Sequence, residues 1–279
     1  MTVHAHPDDE SSKGAGTVAL YSAMGYRSVL VCATGGEEGD IINPVMDVDE
    51  VRADLAKVRA QELSEATSII GYTDVEMLGY RDSGMPDSEA NSRPEAFWNV
   101  DVEDSSRKLV SLIRHYRPDV LITYGEDQSR YPHPDHLRVH DISVMAFNYA
   151  ADPDYHPELG TAHAVSKLYY SLWAAKRVTA LHQRFVEVGL ESPFTEEVLA
   201  REGQDSLITT SIDVGAYIDR RLKALLAHRT QIEPDSKWWF GLDADDQRIA
   251  YPYEDFQLAR TRIPDYEPVM ETDLFAGLP

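Results

Sequence analysis

Two short segments of the sequence concentrate side chains that bind metals and move protons. The first, HAHPDDESSKG (residues 4–14), contains two histidines, two adjacent aspartates and a glutamate within seven positions. The second, YPHPDH (residues 131–136), adds two histidines and an aspartate. Imidazole and carboxylate groups together suit a borderline divalent ion such as zinc. A catalytic zinc usually has three protein ligands and one position that is open to water.

His6, Asp9 and His136 can supply such a set of three ligands. Asp8 and His133, their neighbours, are then candidates for proton transfer and for stabilising developing charge. Either segment alone has a simpler interpretation, because an aspartate at the end of a strand often caps the following helix. Both segments together favour a metal site.

The elements around these segments indicate an α/β fold. Apolar segments alternate with amphipathic stretches, as a parallel sheet with crossover helices requires. Strands are predicted to end near residue 5 and to cover residues 28–33, 75–80, 119–125 and 166–173, with helices over residues 11–24, 50–70, 102–116 and 135–149. We expect a Rossmann-like, three-layer α/β/α arrangement with a mostly parallel sheet and an appended C-terminal lobe.

The two polar segments have corresponding positions in this arrangement. One follows the first predicted strand and the other follows the fourth. Ligands of open α/β sheets bind in the crevice beyond the carboxyl ends of the strands, so the two segments can meet there. We expect one domain over residues 1–279, in which residues 1–150 carry the metal site and residues 151–279 add helical and strand elements that shape the pocket.

Composition restricts the classes of partner. The 279 residues include 26 basic and 48 acidic side chains, a formal net charge of −22, which argues against binding to nucleic acid or to an anionic membrane surface. The sequence contains no apolar run of transmembrane length and does not begin like a secretory signal, so a cytoplasmic protein is expected. A small-molecule substrate fits best, and the oligomeric state is left open.

Three motifs, AHPDDE, TGGEEGD and YPHPDH, resemble the zinc-dependent LmbE-like or PIG-L deacetylases, which remove acyl groups from amino sugars. Within that family, HAHPDDESSKG, SRYPHPDH, VSKLYY, AHRTQI and FQLARTRIP most resemble the branch that hydrolyses S-conjugates of mycothiol. The resemblance implies a zinc amidase acting on a thiol-sugar conjugate, and iron(II) is an alternative metal for the same ligands. Deacetylation of N-acetylglucosaminyl-inositol and a non-catalytic sugar-binding role are the competing interpretations, and an aspartyl-nucleophile phosphatase would not use the second motif.

The resemblance also implies a role for each matching residue. It implies zinc ligands His6, Asp9 and His136, a general base Asp8, an oxyanion-supporting His133, an Asp135 that orients and charges it, a carbonyl-polarising Tyr131, and substrate contacts Lys13, Arg59 and Asp82. Ala60 follows Arg59 where the family often has a second arginine.

Four further residues have simpler interpretations. Glu10 is expected to cap the next helix, and His228 to cap a helix or to pack. Trp238 and Trp239 are expected to pack in the interior, although an aromatic wall would suit an apolar conjugate.

Overall fold

A seven-stranded sheet forms the centre of the computed structural model, which describes residues 1–129, 131–267 and 270–278. The strands are β1 (Thr2–His4), β2 (Val29–Thr34), β3 (Asp74–Tyr80), β4 (Val120–Tyr124), β5 (Lys167–Leu172), β6 (Thr210–Asp213) and β7 (Tyr253–Thr261). Their order across the sheet is β3-β2-β1-β4-β5-β7-β6. The first five strands are parallel, and β7 runs antiparallel to both β5 and β6. The prediction of an α/β fold with a mostly parallel sheet is confirmed.

Helices connect the strands. They are α1 (Asp9–Ser12), α2 (Ala15–Ala23), α3 (Asp49–Ala53), α4 (Leu55–Ile70), α5 (Val102–Tyr116), α6 (Pro134–Tyr149), α7 (Ala175–Glu187), α8 (Glu196–Ala200), α9 (Ile218–Ala227), α10 (Lys237–Phe240) and α11 (Ala244–Ala250). The single helix predicted over residues 11–24 is wrong: Gly14 has φ +90° and separates α1 from α2. A residue with a Cβ atom would be strained in that conformation.

The helices cover both faces of the sheet. On one face, Val31 and Ala33 of β2 share an apolar cluster with residues of α5 and α6. On the other face, Leu30 and Cys32 of the same strand contact Leu63 of α4. This alternation follows from the two-residue period of a strand and produces three layers. Cys32 is fully buried.

The order of the strands reverses at β1. The chain moves from β1 to β2 and β3 on one side, and then returns to place β4 and β5 on the other side. Such a reversal opens a crevice at the carboxyl ends of the two central strands, here β1 and β4. The segments that follow these two strands therefore meet at one place.

The last third of the chain completes the same sheet. Strands β6 and β7, which the sequence analysis did not predict, extend it beyond β5. Glu254 of β7 accepts hydrogen bonds from the backbone N–H groups of Gly16 (3.1 Å) and Thr17 (2.8 Å), at the beginning of α2. A carboxylate at that end of a helix satisfies free N–H groups and interacts favourably with the helix dipole. Among the described residues, no helix combines the length and apolar character that crossing a bilayer requires.

Candidate metal centre and active site

The three predicted metal ligands lie together at the carboxyl ends of β1 and β4. His6 follows β1, Asp9 begins α1 and His136 lies in the first turn of α6. The Nδ1 atom of His6 and the Nε2 atom of His136 are 3.5 Å and 3.4 Å from Asp9 Oδ2. All three side chains are buried, and one potential ligand atom of each lies within 4.8 Å of the others.

The chemistry of this cluster fits a divalent metal. The Nε2 atom of His136 is buried and makes no hydrogen bond with any part of the chain that the structure describes. A buried nitrogen without a partner is costly unless a ligand satisfies it. Two imidazoles and one carboxylate form a donor set that suits zinc and also iron(II). These residues therefore fit the metal that the sequence predicts.

A second group of potential ligand atoms shares His6 and includes Asp82, His133 and Asp135. The carboxylates of both groups accept hydrogen bonds, so these contacts do not distinguish the two groups. Asp82 accepts the N–H of Gly84 at 2.8 Å, and Asp135 accepts both the N–H and the hydroxyl of Ser83. Because the unpartnered nitrogen belongs to the other group, His6, Asp9 and His136 are the better ligand set.

The carboxylate of Asp135 contacts His6 rather than the His133 ring. Its Oδ2 atom lies 3.3 Å from His6 Nε2. An ionised carboxylate only accepts hydrogen bonds, so Nε2 carries the hydrogen atom and the lone pair of Nδ1 is left for a metal. A carboxylate that orients a metal-binding histidine in this way is a common feature of metal sites.

The contacts of His133 favour its neutral form, whereas the sequence predicted that Asp135 charges it. The backbone N–H of Asp135 donates to His133 Nδ1 at 3.2 Å, so the remaining hydrogen lies on Nε2. The pKa of His133 is lowered to about 4, mainly by burial, and Asp135 and Asp82 oppose this shift only in part. His133 can therefore donate a hydrogen bond from Nε2 without carrying a positive charge.

Asp8 lies next to the cluster of His6, Asp9 and His136, called here the ligand cluster, and borders a cavity. Its side chain is 28% exposed, and its φ of 118° is rare for a residue other than glycine. Such backbone strain persists only where surrounding contacts hold it. Here the N–H of Asp8 donates to Glu10 Oε2 at 2.9 Å, and Arg59 Nη2 lies 3.3 Å from Asp8 Oδ2. Burial raises the pKa of Asp8, although Arg59 opposes the shift, and a raised pKa suits a proton acceptor.

Glu10 and His228 support Asp8 from behind. Glu10 Oε1 accepts a hydrogen bond from His228 Nε2 at 2.7 Å, and both side chains are fully buried. From the sequence, only capping or packing was expected for these two residues. Nothing in the sequence pairs two residues that are 218 positions apart.

Tyr124 is a site residue that the sequence analysis missed. Its hydroxyl donates to Asp9 Oδ2 at 2.7 Å and accepts the N–H of Ala5 at 2.9 Å. Its ring stacks on His136 with centroids 4.4 Å apart. The sequence feature that could have indicated a site role for Tyr124 is its position as the last residue of a buried strand that leads into a polar loop.

The remaining predicted residues line the same cavity, but several of them already have protein partners. Lys13 Nζ lies 2.5 Å from Asp9 Oδ1. Arg59 donates to the carbonyl groups of Gly36 and Pro7 and is almost fully buried. These two side chains therefore stabilise the site through their contacts and also line the cavity. Tyr131 is half exposed, with its ring centroid 5.3 Å from that of His136.

The cavity has a volume of about 650 Å³, which is within the usual range for small-molecule sites. The ligand cluster and Asp8 border it, together with apolar residues from the C-terminal half of the chain. The cavity can therefore hold a substrate that extends well beyond the metal centre.

Comparisons with solved structures describe the fold. N,N'-diacetylchitobiose deacetylase from Pyrococcus horikoshii matches 92% of this chain and 81% of its own, with a TM-score of 0.63 and 18% identity. GalB from Pseudomonas putida, a 4-carboxy-2-hydroxymuconate hydratase, matches 95% of this chain and 98% of its own, with a TM-score of 0.62 and 16% identity. Because one of these proteins is a deacetylase and the other a hydratase, the fold alone does not determine the reaction.

Comparisons of sequence are more specific. The mycothiol S-conjugate amidase of Streptomyces coelicolor is 40% identical over 288 residues, which cover 100% of this chain and 96% of that protein. The 1D-myo-inositol 2-acetamido-2-deoxy-alpha-D-glucopyranoside deacetylase of Streptomyces avermitilis is 37% identical over 294 residues, with 100% and 96% covered. The PIG-L family model, described as GlcNAc-PI de-N-acetylase, matches residues 1–147. As its motifs predict, the chain belongs to the PIG-L family and is a hydrolytic enzyme.

Proposed function

We propose that this enzyme hydrolyses the amide bond between the cysteine acyl group and the glucosamine nitrogen of mycothiol S-conjugates. The products are glucosaminyl-inositol and a mercapturic acid-type conjugate. The observation that carries amide hydrolysis is the position of Asp8, a partly exposed carboxylate next to a buried cluster of two histidines and one aspartate. The full-length similarity to the amidase of Streptomyces coelicolor supports this choice of amide.

Zinc held by His6, Asp9 and His136 would supply Lewis-acid activation of the scissile carbonyl group and of the attacking water. Asp8 is the general base in this proposal. Its carboxylate accepts a proton from the water as the water attacks the carbonyl carbon, and the glucosamine nitrogen takes up a proton when its bond to that carbon breaks. The contacts with Glu10 and Arg59 hold Asp8 in its strained conformation before the substrate arrives. General-base catalysis of this kind contributes about 10²–10⁴-fold to the rate.

Tyr131 and His133 stabilise the negative charge that develops on the carbonyl oxygen. Each offers one donor, the phenol hydroxyl of Tyr131 and the Nε2–H of neutral His133. Their rings are adjacent, with centroids 5.9 Å apart, and both residues line the cavity. Preorganised donors at an oxyanion are worth about 3 kcal/mol each.

Deacetylation of N-acetylglucosaminyl-inositol is the second candidate. It requires the same base and the same donors, and a deacetylase of Streptomyces avermitilis is 37% identical over the whole chain. The two reactions differ only in the acyl group, which is an acetyl group in one and an S-substituted cysteine derivative in the other.

A comparison of kcat/KM for a bimane-labelled mycothiol conjugate and for N-acetylglucosaminyl-inositol separates the candidates. We expect the conjugate to be the better substrate. Faster turnover of the acetylated sugar would make the enzyme a deacetylase. Failure to hydrolyse either compound by metal-loaded protein would support a non-catalytic sugar-binding role.

A further inference from the structure

The cavity has an apolar part that the proposed chemistry does not use. Six residues form it, here called the tryptophan wall: Trp173, Val178, Val198, Leu199, Trp238 and Trp239. All of them lie outside residues 1–147, the part of the chain that matches the family model. Trp173 directly follows β5, whose carboxyl end is at the same edge of the sheet as those of β1 and β4. The wall therefore adjoins the metal centre within one cavity.

The wall is held in place from behind. Trp173 stacks on Trp238 with ring centroids 6.1 Å apart, and Phe194 meets Trp238 edge-on at 4.8 Å. The buried guanidinium of Arg177 lies 4.9 Å from the ring of Trp173. These contacts fix the rings before any ligand binds, and preorganisation lowers the entropic cost of binding.

Trp238 nevertheless remains 36% exposed. Apolar area in contact with water is unfavourable, and a ligand that covers it recovers this free energy. An indole that lines a cavity and is supported on its other sides is well suited to contact a second flat ring. The exposed area of Trp238 thus points to an aromatic ligand group.

The charges around the cavity indicate that this group is neutral. Six carboxylates line the cavity, from Asp8, Asp9, Glu38, Asp40, Asp82 and Asp127, against three cations, from Lys13, Arg59 and Arg201. Of these three cations, Arg201 is the nearest in sequence to Val198 and Leu199 of the wall, and it donates to Glu197 at 2.8 Å. An anionic substituent would meet an excess of negative charge.

We infer that the tryptophan wall binds an uncharged aromatic substituent on the sulfur of the substrate, and that Trp238 determines this preference. The inference rests on the proposed function, because only an S-conjugate carries such a substituent. The substituent belongs to the acyl side of the scissile amide. A conjugate bound across the metal centre would place its ring against the wall and its sugar elsewhere in the cavity.

Product analogues test the wall without requiring catalysis. The probes are N-acetyl-S-benzylcysteine and N-acetyl-S-methylcysteine, and their affinities for the metal-loaded protein are measured by titration calorimetry. We expect the benzyl compound to bind about tenfold or more tightly, because more apolar area is covered. In Trp238→Leu the preference should fall severalfold. Trp98→Leu is the matched control, since Trp98 is half buried, contacts Arg138 and does not line the cavity.

A second variant, Val198→Asp, places a charge on the wall without removing an aromatic ring and should also reduce benzyl binding. Thermal melting confirms that each variant is folded. An unchanged benzyl preference in folded Trp238→Leu and Val198→Asp would overturn the inference, even if the wild-type enzyme hydrolyses conjugates. Conversely, if the wild type hydrolyses neither the S-benzyl nor the S-methyl conjugate, the proposed function fails, and the binding data still show whether the wall selects aromatic groups.

Discussion

The metal centre and the tryptophan wall line the same cavity but differ in how their geometry is determined. In the metal centre, each carboxylate receives directional hydrogen bonds, such as those from Tyr124 to Asp9 and from Ser83 to Asp135. In the wall, Trp173, Trp238 and their neighbours meet through apolar contacts. Directional contacts tolerate little change, whereas apolar contacts can repack. One region is thus built for a reaction and the other for selection among substrates.

Metal removal should have the largest effect on activity, and it should affect the metal centre without affecting the tryptophan wall. We expect chelation to abolish hydrolysis, because His6, Asp9 and His136 contribute to the proposed reaction only by holding the metal. Binding of N-acetyl-S-benzylcysteine to the wall should persist. Activity is measured before and after dialysis against a chelator, and again after zinc or iron(II) is restored. Full activity in protein shown by elemental analysis to lack metal would contradict the assignment.

Replacement of the proposed base tests the reaction without removing the metal. In Asp8→Asn we expect kcat to fall about 10²–10⁴-fold, because the amide cannot accept the proton of the attacking water. Metal content should be unchanged. Asp235→Asn, an exposed aspartate that does not line the cavity, is the matched control for the loss of one charge. A kcat within twofold of wild type, at full metal occupancy, would eliminate Asp8 as the base.

Removal of one oxyanion donor should have a smaller effect. We expect Tyr131→Phe to lower kcat about 10²-fold, at the lower end for such donors, because Tyr131 is half exposed and water can partly replace it. KM should change little, since the hydrogen bond forms mainly in the transition state. A large rise in KM with unchanged kcat would instead make Tyr131 a substrate-binding residue.

Weakening the support behind Asp8 should have the smallest effect of these four. Glu10→Gln loses charge-assisted contacts with Asp8 and His228, each worth about 1.5 kcal/mol or more, so we expect kcat to fall about tenfold. The melting temperature should fall as well. Glu50→Gln, on an exposed part of α3, is the control. A lower melting temperature with unchanged kcat would show that Glu10 stabilises the fold without positioning the base.

The difference between the two regions also explains what could be predicted from sequence. Two clusters of histidine and aspartate each follow a predicted buried strand, so the ligand cluster was recognisable from residue type and position. The partner of Asp135 and the contact between Glu10 and His228 depend on distant segments whose approach no local pattern encodes. Tryptophan packs in many interiors, so Trp238 alone did not indicate a binding surface.

Strand β7 was missed for a physical reason. Its second and third residues, Glu254 and Asp255, are charged but buried, because they form hydrogen bonds with other parts of the protein. They obscure the alternation of apolar and polar residues by which a strand is recognised. The break at Gly14 was missed because the segments on both sides favour a helix.

The bond between Glu254 and Thr17, at the beginning of α2, joins segments that are 237 positions apart. During synthesis on the ribosome, α2 and the preceding HPDD segment emerge more than two hundred residues before their carboxylate cap. Until residue 254 is available, the N–H groups of Gly16 and Thr17 lack this partner. The nascent chain consequently cannot form this cap before residue 254 has emerged, and a fragment ending at residue 147 would contain every candidate metal ligand without the cap that secures α2.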